Sequence, residues 1–246
     1  MQRRSTGWQR GTTMSKTLYL ECYSGISGDM TVAALLDLGA DREVLKESLK
    51  SLPVGGFRTE ITRVKKSGLD ACDFSVILEQ DNHDHDMEYL HGSEKSYTGH
   101  HEHSHEVNHE HHHGHTHSHE HPHEHRGMKE ITEIIQKSEM TVRAKKMAMR
   151  VFGILAQAES KAHGVPVEEV HFHEVGAVDS IVDIAAIAIC MDNLDISNVI
   201  VPVLYEGTGF IRCQHGQIPV PVPAVTHIAE THKLKLKKSQ TYRENW

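Results

Sequence analysis

Hydrophobic and polar positions follow helix and strand periods in two stretches of the chain, one on each side of a long polar stretch rich in histidine. In the first stretch, a short apolar run predicts a strand, and apolar residues at helical spacing before Gly39 predict a helix. Asp41 is the expected N-cap of a second helix. Two runs around a polar Lys-Lys-Ser-Gly segment predict a hairpin. The predicted elements are a strand at 18–22, helices at 32–38 and 41–49, and hairpin strands at 57–64 and 69–78.

The second stretch repeats this mixture of helices and strands. Its predicted elements are helices at 128–136, 141–163 and 179–193, strands at 199–204 and 209–213, a proline-rich run at 218–223 and a last short helix. We therefore expect an α/β fold, with a mixed sheet and flanking helices, interrupted by a disordered His-rich insertion. Residues 14–80 and 128–238 would be two parts of one domain and residues 81–127 the insertion. A boundary between two small subdomains is the alternative.

Both ends of the chain lack such a pattern. Residues 1–13 show no helix or strand period, and Met14 is a more natural start, so we expect a non-native extension from a misassigned start codon. Residues 239–246 are expected to be a tail that does not belong to the domain.

Composition narrows the classes of partner. The formal net charge of −8 over 246 residues makes neither nucleic acid nor an anionic membrane surface an expected partner. The longest apolar run, 184–191, is too short to span a bilayer. The four cysteines form no C-x-x-C pair, which argues against a structural zinc site and leaves single metal ligands or small buried hydrophobes. Because nothing indicates secretion, we expect a cytoplasmic protein with reduced thiols.

Seventeen of the 23 histidines fall between His83 and His125. With a reference pKa of about 6.5, most imidazoles are uncharged at neutral pH, and imidazole suits late first-row divalent ions. This His-rich tract therefore predicts transition-metal binding, as a loose buffer for several ions. A solvated low-complexity linker is the alternative. The densest part of the tract holds the candidate ligands His111, His113, His115, His117 and His119.

A glycine-rich turn, residues 24–29, lies between the first predicted strand and the first predicted helix. Backbone N–H groups at a helix N-terminus favour phosphate or carboxylate. The turn is neither a P-loop nor a G-x-G-x-x-G motif. A tight structural turn with Asp29 as the helix cap is the alternative. The candidate phosphate-binding residues are Ser24, Gly25, Ser27, Gly28 and Asp29.

A second motif joins His-Phe-His-Glu to a helix that carries two aspartates. In an extended segment the two imidazoles point to one face, and the aspartates, four residues apart, share a helix face. Together they form a candidate site for a divalent transition ion. A solvated histidine pair with Asp179 as an N-cap is the alternative. The candidate ligands are His171, His173, Glu174, Asp179 and Asp183.

A third motif follows the strand predicted at 209–213. Cys213 and His215 alternate onto one side and could offer a thiolate and an imidazole to a metal, and Arg212 could hold a phosphate. Taken by itself, the segment is typical of an ordinary hairpin with turn glycines.

In this order, and with a His-rich insertion between the first two, the three motifs resemble the N-terminal region of the LarC family, the nickel-insertion proteins of nickel-pincer nucleotide biosynthesis. The resemblance covers about residues 17–238 and is carried by residues 24–30, 171–183, 213–216 and 218–221.

The resemblance implies an enzyme, a nickel chelatase of the lyase class. Members of the LarC family insert Ni²⁺ into pyridinium-3,5-bisthiocarboxylic acid mononucleotide, with two Ni–S bonds and one Ni–C bond, and hydrolyse CTP. The product is the cofactor of lactate racemase and related enzymes. The mononucleotide would thus be the substrate, and the apo racemase a further partner.

The family pattern also includes a C-terminal domain that binds the nucleoside triphosphate, and in some members a programmed frameshift joins the two parts. We expect this chain to be the shorter protein that is made when the frameshift does not occur. CTP, with Mg²⁺ or Mn²⁺, would then act only together with the C-terminal half, and insertion would depend on that half. A non-catalytic chaperone that stores or delivers nickel or zinc is the rival hypothesis.

Overall fold

A computed structural model describes residues 16–79, 126–172, 175–213 and 216–239 of the chain. Helices and short strands alternate along these residues, which confirms the predicted α/β class. The helices are α1 (Gly28–Asp37), α2 (Arg42–Lys50), α3 (Met128–Lys137), α4 (Val142–His163), α5 (Val178–Asn193) and α6 (Pro223–His232). The strands are β1 (Lys16–Tyr19), β2 (Phe57–Lys66), β3 (Leu69–Leu78), β4 (Arg126–Gly127), β5 (His171–Phe172), β6 (Ile196–Ile200), β7 (Leu204–Glu206), β8 (Gly209–Cys213), β9 (Gly216–Val220) and β10 (Leu236–Lys238).

Within the described residues the strands pair two by two, in both directions. The parallel pairs are β1 with β6 and β7 with β10, and the antiparallel pairs are β2 with β3, β4 with β5 and β8 with β9. A parallel bridge between Cys22 and Leu204 links the end of the first strand segment to β7. The mixture of directions was predicted, but the strands are distributed over separate pairs.

Helix α5 lies at the centre of the hydrophobic core. Its apolar residues recur on most of its circumference, which is the pattern of a helix surrounded by other elements. It packs against α1, α2 and α4 and against strand β3. Its buried residues are Ile181, Val182, Ala185, Ala186, Ala188, Ile189 and Cys190. Because α5 carries both candidate aspartates at its N-terminal end, the core fixes the position of that end.

Side-chain caps fix where the neighbouring helices begin. Asp41 caps α2, as predicted, and accepts hydrogen bonds from the backbone N–H groups of Glu43 at 2.9 Å and Val44 at 3.1 Å. Its own N–H donates to the Asn193 side chain at 2.8 Å, which ties α2 to the end of α5. Thr141 caps α4, and Gly164, with φ of 68°, ends it in the left-handed conformation that favours glycine.

Three predicted elements have a boundary that differs from the structure by three residues or more. The strand predicted at 18–22 is β1, Lys16–Tyr19, which ends three residues earlier. Helix α1 begins at Gly28, four residues before the predicted start, so the end of the glycine-rich turn is already helical. The strand predicted at 199–204 is replaced by β6 and β7 with a short connection between them. Pro202 lies in that connection and cannot donate a backbone hydrogen bond to a strand partner.

Several predictions concern residues outside the described ranges, namely the extension at 1–13, nearly all of the insertion at 81–127 and most of the tail at 239–246. Among the helices that the structure describes, none is long and apolar enough to cross a membrane.

Candidate functional site

The glycine-rich turn and the acidic end of α5 lie against each other. Helix α1 begins at Gly28, and the side chain of Asp183 packs on the Gly28 Cα. A Cβ at residue 28 would lie 2.7 Å from Asp183 Cγ and 2.8 Å from Asp183 Cβ, which is closer than real Cβ contacts allow. Glycine at this position is therefore required by the approach of Asp183. The structure thus brings together two motifs that are far apart in the sequence.

Asp183 is a carboxylate in an unfavourable setting. Its Oδ1 atom is buried and has no hydrogen-bond partner among the described residues. Burial raises the pKa of Asp183 to about 7, and repulsion from the carboxylates of Asp29 and Asp179 adds to the rise. A hydrogen bond from the backbone N–H of Asp29 works in the opposite direction. Buried polar groups without a partner are rare, and they concentrate at functional sites.

The first turn of α1 shows how the remaining residues of the turn are arranged. Ser27 is the N-cap, and its hydroxyl donates to the carboxylate of Asp29. Asp29 therefore lies inside the first helical turn and does not cap the helix. Asp29 and Asp179 are both exposed, each in the first turn of its helix, so their carboxylates face solvent at the same end of the molecule as Asp183. The result is a group of three carboxylates around two helix N-termini.

His171 lies in β5, next to the end of the insertion. β5 pairs antiparallel with β4, with Arg126 opposite Phe172 and Gly127 opposite His171. The exposed imidazole of His171 is near Gly127 and near Glu130, whose carboxylate accepts a hydrogen bond from the Gly127 N–H at 3.0 Å. His171 is not among the charged groups that shift the pKa of Asp183, which are Asp29 and Asp179.

The loop after β5 is tightly constrained by Gly176. The Arg126 guanidinium donates to the Gly176 carbonyl at 2.9 Å, and a Cβ on Gly176 would lie 2.6 Å from the carbonyl oxygen of Phe172. Phe172 is buried and packs edge to face on Phe152, with ring centroids 6.3 Å apart. These contacts hold Gly176, two residues before α5 begins, against β4 and β5.

Other predicted ligands lie outside what the structure describes. They are His173, Glu174, His215, the side chain of Cys213 and the tract histidines His111, His113, His115, His117 and His119. Among the described residues, no group of three or more His, Cys, Asp or Glu side chains is arranged to hold a metal ion. The predicted metal site therefore stays a prediction.

The cysteines in the described part have the environment of core residues. Cys22, Cys72 and Cys190 are buried and free. Burial raises the pKa of Cys190 to about 12, which keeps its thiol protonated and makes it a poor metal ligand.

One feature of the site could not be found from sequence patterns. Tyr23, directly before the glycine-rich turn, contacts Tyr205 of β7, and the two ring centroids are 5.8 Å apart. The sequence shows only that a tyrosine stands beside the turn, which does not indicate an aromatic pair. Its partner is distant in sequence, and no local period points to it.

Comparisons with known proteins agree with this combination of motifs. The family model described as nickel insertion protein matches residues 18–244, and so extends into the tail. A protein of Alkaliphilus metalliredigens named pyridinium-3,5-bisthiocarboxylic acid mononucleotide nickel insertion protein is 50% identical over 94% of this chain and 49% of its own length. Proteins with the same name from Clostridium acetobutylicum and Geobacillus kaustophilus are 45% and 41% identical over 87% of this chain, and over 49% and 45% of their own lengths.

The chain thus spans about half the length of the curated relatives that it matches. No solved structure matches it.

Proposed function

The chain belongs to the nickel insertion protein family, and from that membership we propose that it takes part in inserting Ni²⁺ into pyridinium-3,5-bisthiocarboxylic acid mononucleotide. The observation that carries the proposal is the packing of Asp183 on Gly28. It joins a turn suited to a phosphate group and an acidic helix end suited to a cation. A reaction between a mononucleotide and a metal ion needs both in one place.

The carboxylates are suited to hold nickel for transfer. Ni²⁺ binds sulfur ligands more strongly than oxygen ligands. The name of the relatives describes a substrate with two thiocarboxylic acid groups, which can offer sulfur. An ion held by Asp179 and Asp183 would therefore exchange these oxygen ligands for the two sulfur ligands of the substrate. The unpartnered Oδ1 of Asp183 would gain a partner when the ion binds.

Phosphate binding at the turn would depend on that cation. A phosphate at the N-terminus of α1 would meet the carboxylates of Asp29, Asp179 and Asp183, and like charges at short range repel. A divalent ion between them removes this repulsion. We therefore expect Ser24, Gly25, Ser27, Gly28 and Asp29 to bind the substrate phosphate together with the metal.

The remaining candidate ligands complete the proposal. His171, His173, Glu174, Cys213 and His215 would supply further ligands to the nickel ion during transfer, and the tract histidines His111, His113, His115, His117 and His119 would collect it beforehand. The five first-named residues belong to the two predicted metal motifs.

The rest of the activity would come from a part that corresponds to the half of the relatives' length that this chain does not match. We propose that this chain is the N-terminal part and that a C-terminal half supplies the site for CTP, with Mg²⁺ or Mn²⁺. The pair would act as a nickel chelatase of the lyase class in the cytoplasm, and the apo racemase would receive the product. The half-length match to the relatives supports this division.

The experiment is single-turnover insertion with purified chain, Ni²⁺ and the mononucleotide, with and without CTP and the separate C-terminal half. Mass spectrometry detects the nickel product. We expect product only when the C-terminal half and CTP are present, and about a hundredfold less with the Asp183→Asn variant. The expected loss corresponds to roughly 2.7 kcal/mol of transition-state stabilisation.

Asp195→Asn is the matched control. Asp195 lies just beyond the other end of α5 and pairs with Arg143 at 2.9 Å, so the substitution removes the same charge at a distance from the turn. Insertion at the wild-type rate by Asp183→Asn, or equal losses in the two variants, would contradict the assigned role of Asp183.

The His-rich tract supports a second candidate function, the storage or delivery of nickel or zinc without chemistry. A storage protein would bind many ions weakly and would not need Asp183. The two functions therefore differ in whether a tight site exists outside the tract.

A further inference from the structure

Two tyrosines from different parts of the chain form an aromatic pair beside the glycine-rich turn. Tyr23 directly precedes the turn, and Tyr205 lies in β7, with ring planes inclined by 63°. The backbone bridge between Cys22 and Leu204 aligns the residues that precede the two tyrosines. The pair is therefore held in place by backbone pairing at the edge of the candidate phosphate site.

The ring of Tyr23 is open to solvent. The residue is 58% exposed, although aromatic rings gain most from burial. Its hydroxyl donates a hydrogen bond to the Glu21 carboxylate at 3.2 Å, which orients the ring. Tyr205 is more enclosed, and the ammonium of Lys237 lies 5.9 Å above its ring. An oriented and exposed ring next to a binding turn is accessible to a flat ligand.

We propose that Tyr23 and Tyr205 form a platform for the pyridinium ring of the mononucleotide. The inference rests on the proposed function and extends it to the heterocyclic part of the substrate. A cationic aromatic ring is attracted to the electron-rich face of a tyrosine, and flat rings stack well on exposed aromatic side chains.

The charges around the platform match the substrate. The relatives' name describes a ring with a positive charge and two acidic substituents. Glu21, which accepts the hydrogen bond from Tyr23, favours the positive ring. Lys237 above Tyr205 is placed to attract an acidic substituent. Tyr23 directly precedes the turn whose Gly28 packs against Asp183, one of the carboxylates proposed to hold nickel.

The test compares two ligands and two substitutions in the full chain. The ligands are the pyridinium-3,5-bisthiocarboxylic acid mononucleotide and ribose 5-phosphate, which has the sugar phosphate but no ring. Binding is measured by equilibrium dialysis in the presence of Ni²⁺. Tyr23→Leu should weaken mononucleotide binding about tenfold and leave ribose 5-phosphate binding unchanged. Tyr23→Phe, which retains the ring but loses the hydrogen bond to Glu21, should lose clearly less mononucleotide binding than Tyr23→Leu.

Tyr205→Leu is the second variant, and it should give a smaller loss for the mononucleotide alone. Far-ultraviolet circular dichroism checks that each variant is folded. If the wild type binds both ligands and Tyr23→Leu binds both equally well, the platform is wrong while the proposed function stands. Equal losses in Tyr23→Leu and Tyr23→Phe also overturn the platform. If the wild type binds neither ligand, the proposed function fails and the platform fails with it.

Discussion

At the scale of single residues, the contact between Gly28 and Asp183 carries the most information. We expect Gly28→Ala to destabilise the protein by about 1–3 kcal/mol, because the new methyl group would overlap the Asp183 side chain and force α1 away from α5. Nickel binding by the folded part should weaken as well. Urea unfolding followed by circular dichroism measures the first effect, and equilibrium dialysis measures the second.

Gly153→Ala is the matched control. Gly153 lies inside α4, and a Cβ there would meet no atom within 4 Å. Alanine is the better helix former, so this substitution should stabilise the protein by up to about 1 kcal/mol. Opposite signs for the two substitutions would support the close-packing argument. A loss of stability in Gly153→Ala as large as that in Gly28→Ala would contradict it.

Asp183 itself exemplifies a residue that costs stability. Its carboxylate is half-buried beside two others, so the metal-free protein should become more stable at pH 8 when Asp183→Asn removes the charge and keeps the shape. We expect a gain on the order of 1 kcal/mol in the free energy of unfolding, together with loss of the tight nickel site. Thermal unfolding in the presence of a chelator tests this prediction. A lower melting temperature would show that the Asp183 charge stabilises the fold.

At the scale of elements, the last residue of α1 attaches the β2–β3 hairpin to the helical core. The carboxylate of Asp37 accepts a hydrogen bond from the Cys72 backbone N–H at 2.8 Å and pairs with the guanidinium of Arg63. These two interactions lower the pKa of Asp37, in that order of size. A lowered pKa means that the folded state favours the charged carboxylate.

Asp37 therefore makes the stability of the protein depend on pH. The contribution of Asp37 to stability is present above the unfolded-state pKa of about 3.9, and it is lost as the pH falls through the lower pKa of the folded state. Asp37→Asn should therefore destabilise the protein at pH 7, and the difference from the wild type should shrink toward pH 3. Urea unfolding at the two pH values tests this.

Asp70→Asn is the control for Asp37. Asp70 also pairs with Arg63, but it belongs to the hairpin itself and is more exposed. Asp70→Asn should lower the free energy of unfolding less than Asp37→Asn does, and it should leave the hairpin attached to α1. A loss equal to that of Asp37→Asn would assign the effect to the charge of Arg63 and not to the link between elements.

Local signals explain which elements could be predicted. Asp41 and Thr141 are strong helix caps and Gly164 is a strong helix end, so α2 and α4 begin and end within about a residue of their predicted positions. The start of α1 was predicted too late because Gly28 is a poor helix former and Ser27 makes no side-chain cap. Pairing between strands, such as β1 with β6, depends on residues far apart in sequence, and no period encodes it.

The candidate site also has parts that could be predicted from the sequence and parts that could not. The phosphate turn and the acidic helix end each have a local pattern and were predicted. Their contact through Gly28 and Asp183, and the partnership of Tyr23 with Tyr205, arise from packing around α5 and from the Cys22–Leu204 bridge. Sequence periods could not reveal either of them, because both are long-range contacts.

At the scale of the whole molecule, the His-rich tract and the folded part should bind nickel separately. We expect a variant in which a glycine-serine linker replaces residues 81–125 to lose most of the bound nickel ions but to retain one tight site, because Asp179 and Asp183 remain. Equilibrium dialysis with metal analysis gives the stoichiometry and affinity. Loss of all tight binding would favour storage by the tract.

The pairing of Arg126 with Phe172 has a consequence for how nickel would travel. The last histidine of the tract, His125, is bonded directly to Arg126, and His173 is bonded directly to Phe172. The tract therefore joins the folded part at Arg126, and the strand partner of Arg126 is followed in the sequence by a predicted ligand. Transfer between two parts of one chain is an intramolecular event, with an effective concentration set by the length and stiffness of the chain between them. A nickel ion leaving the tract would more often meet the protein's own site than a competing chelator in the surrounding solution.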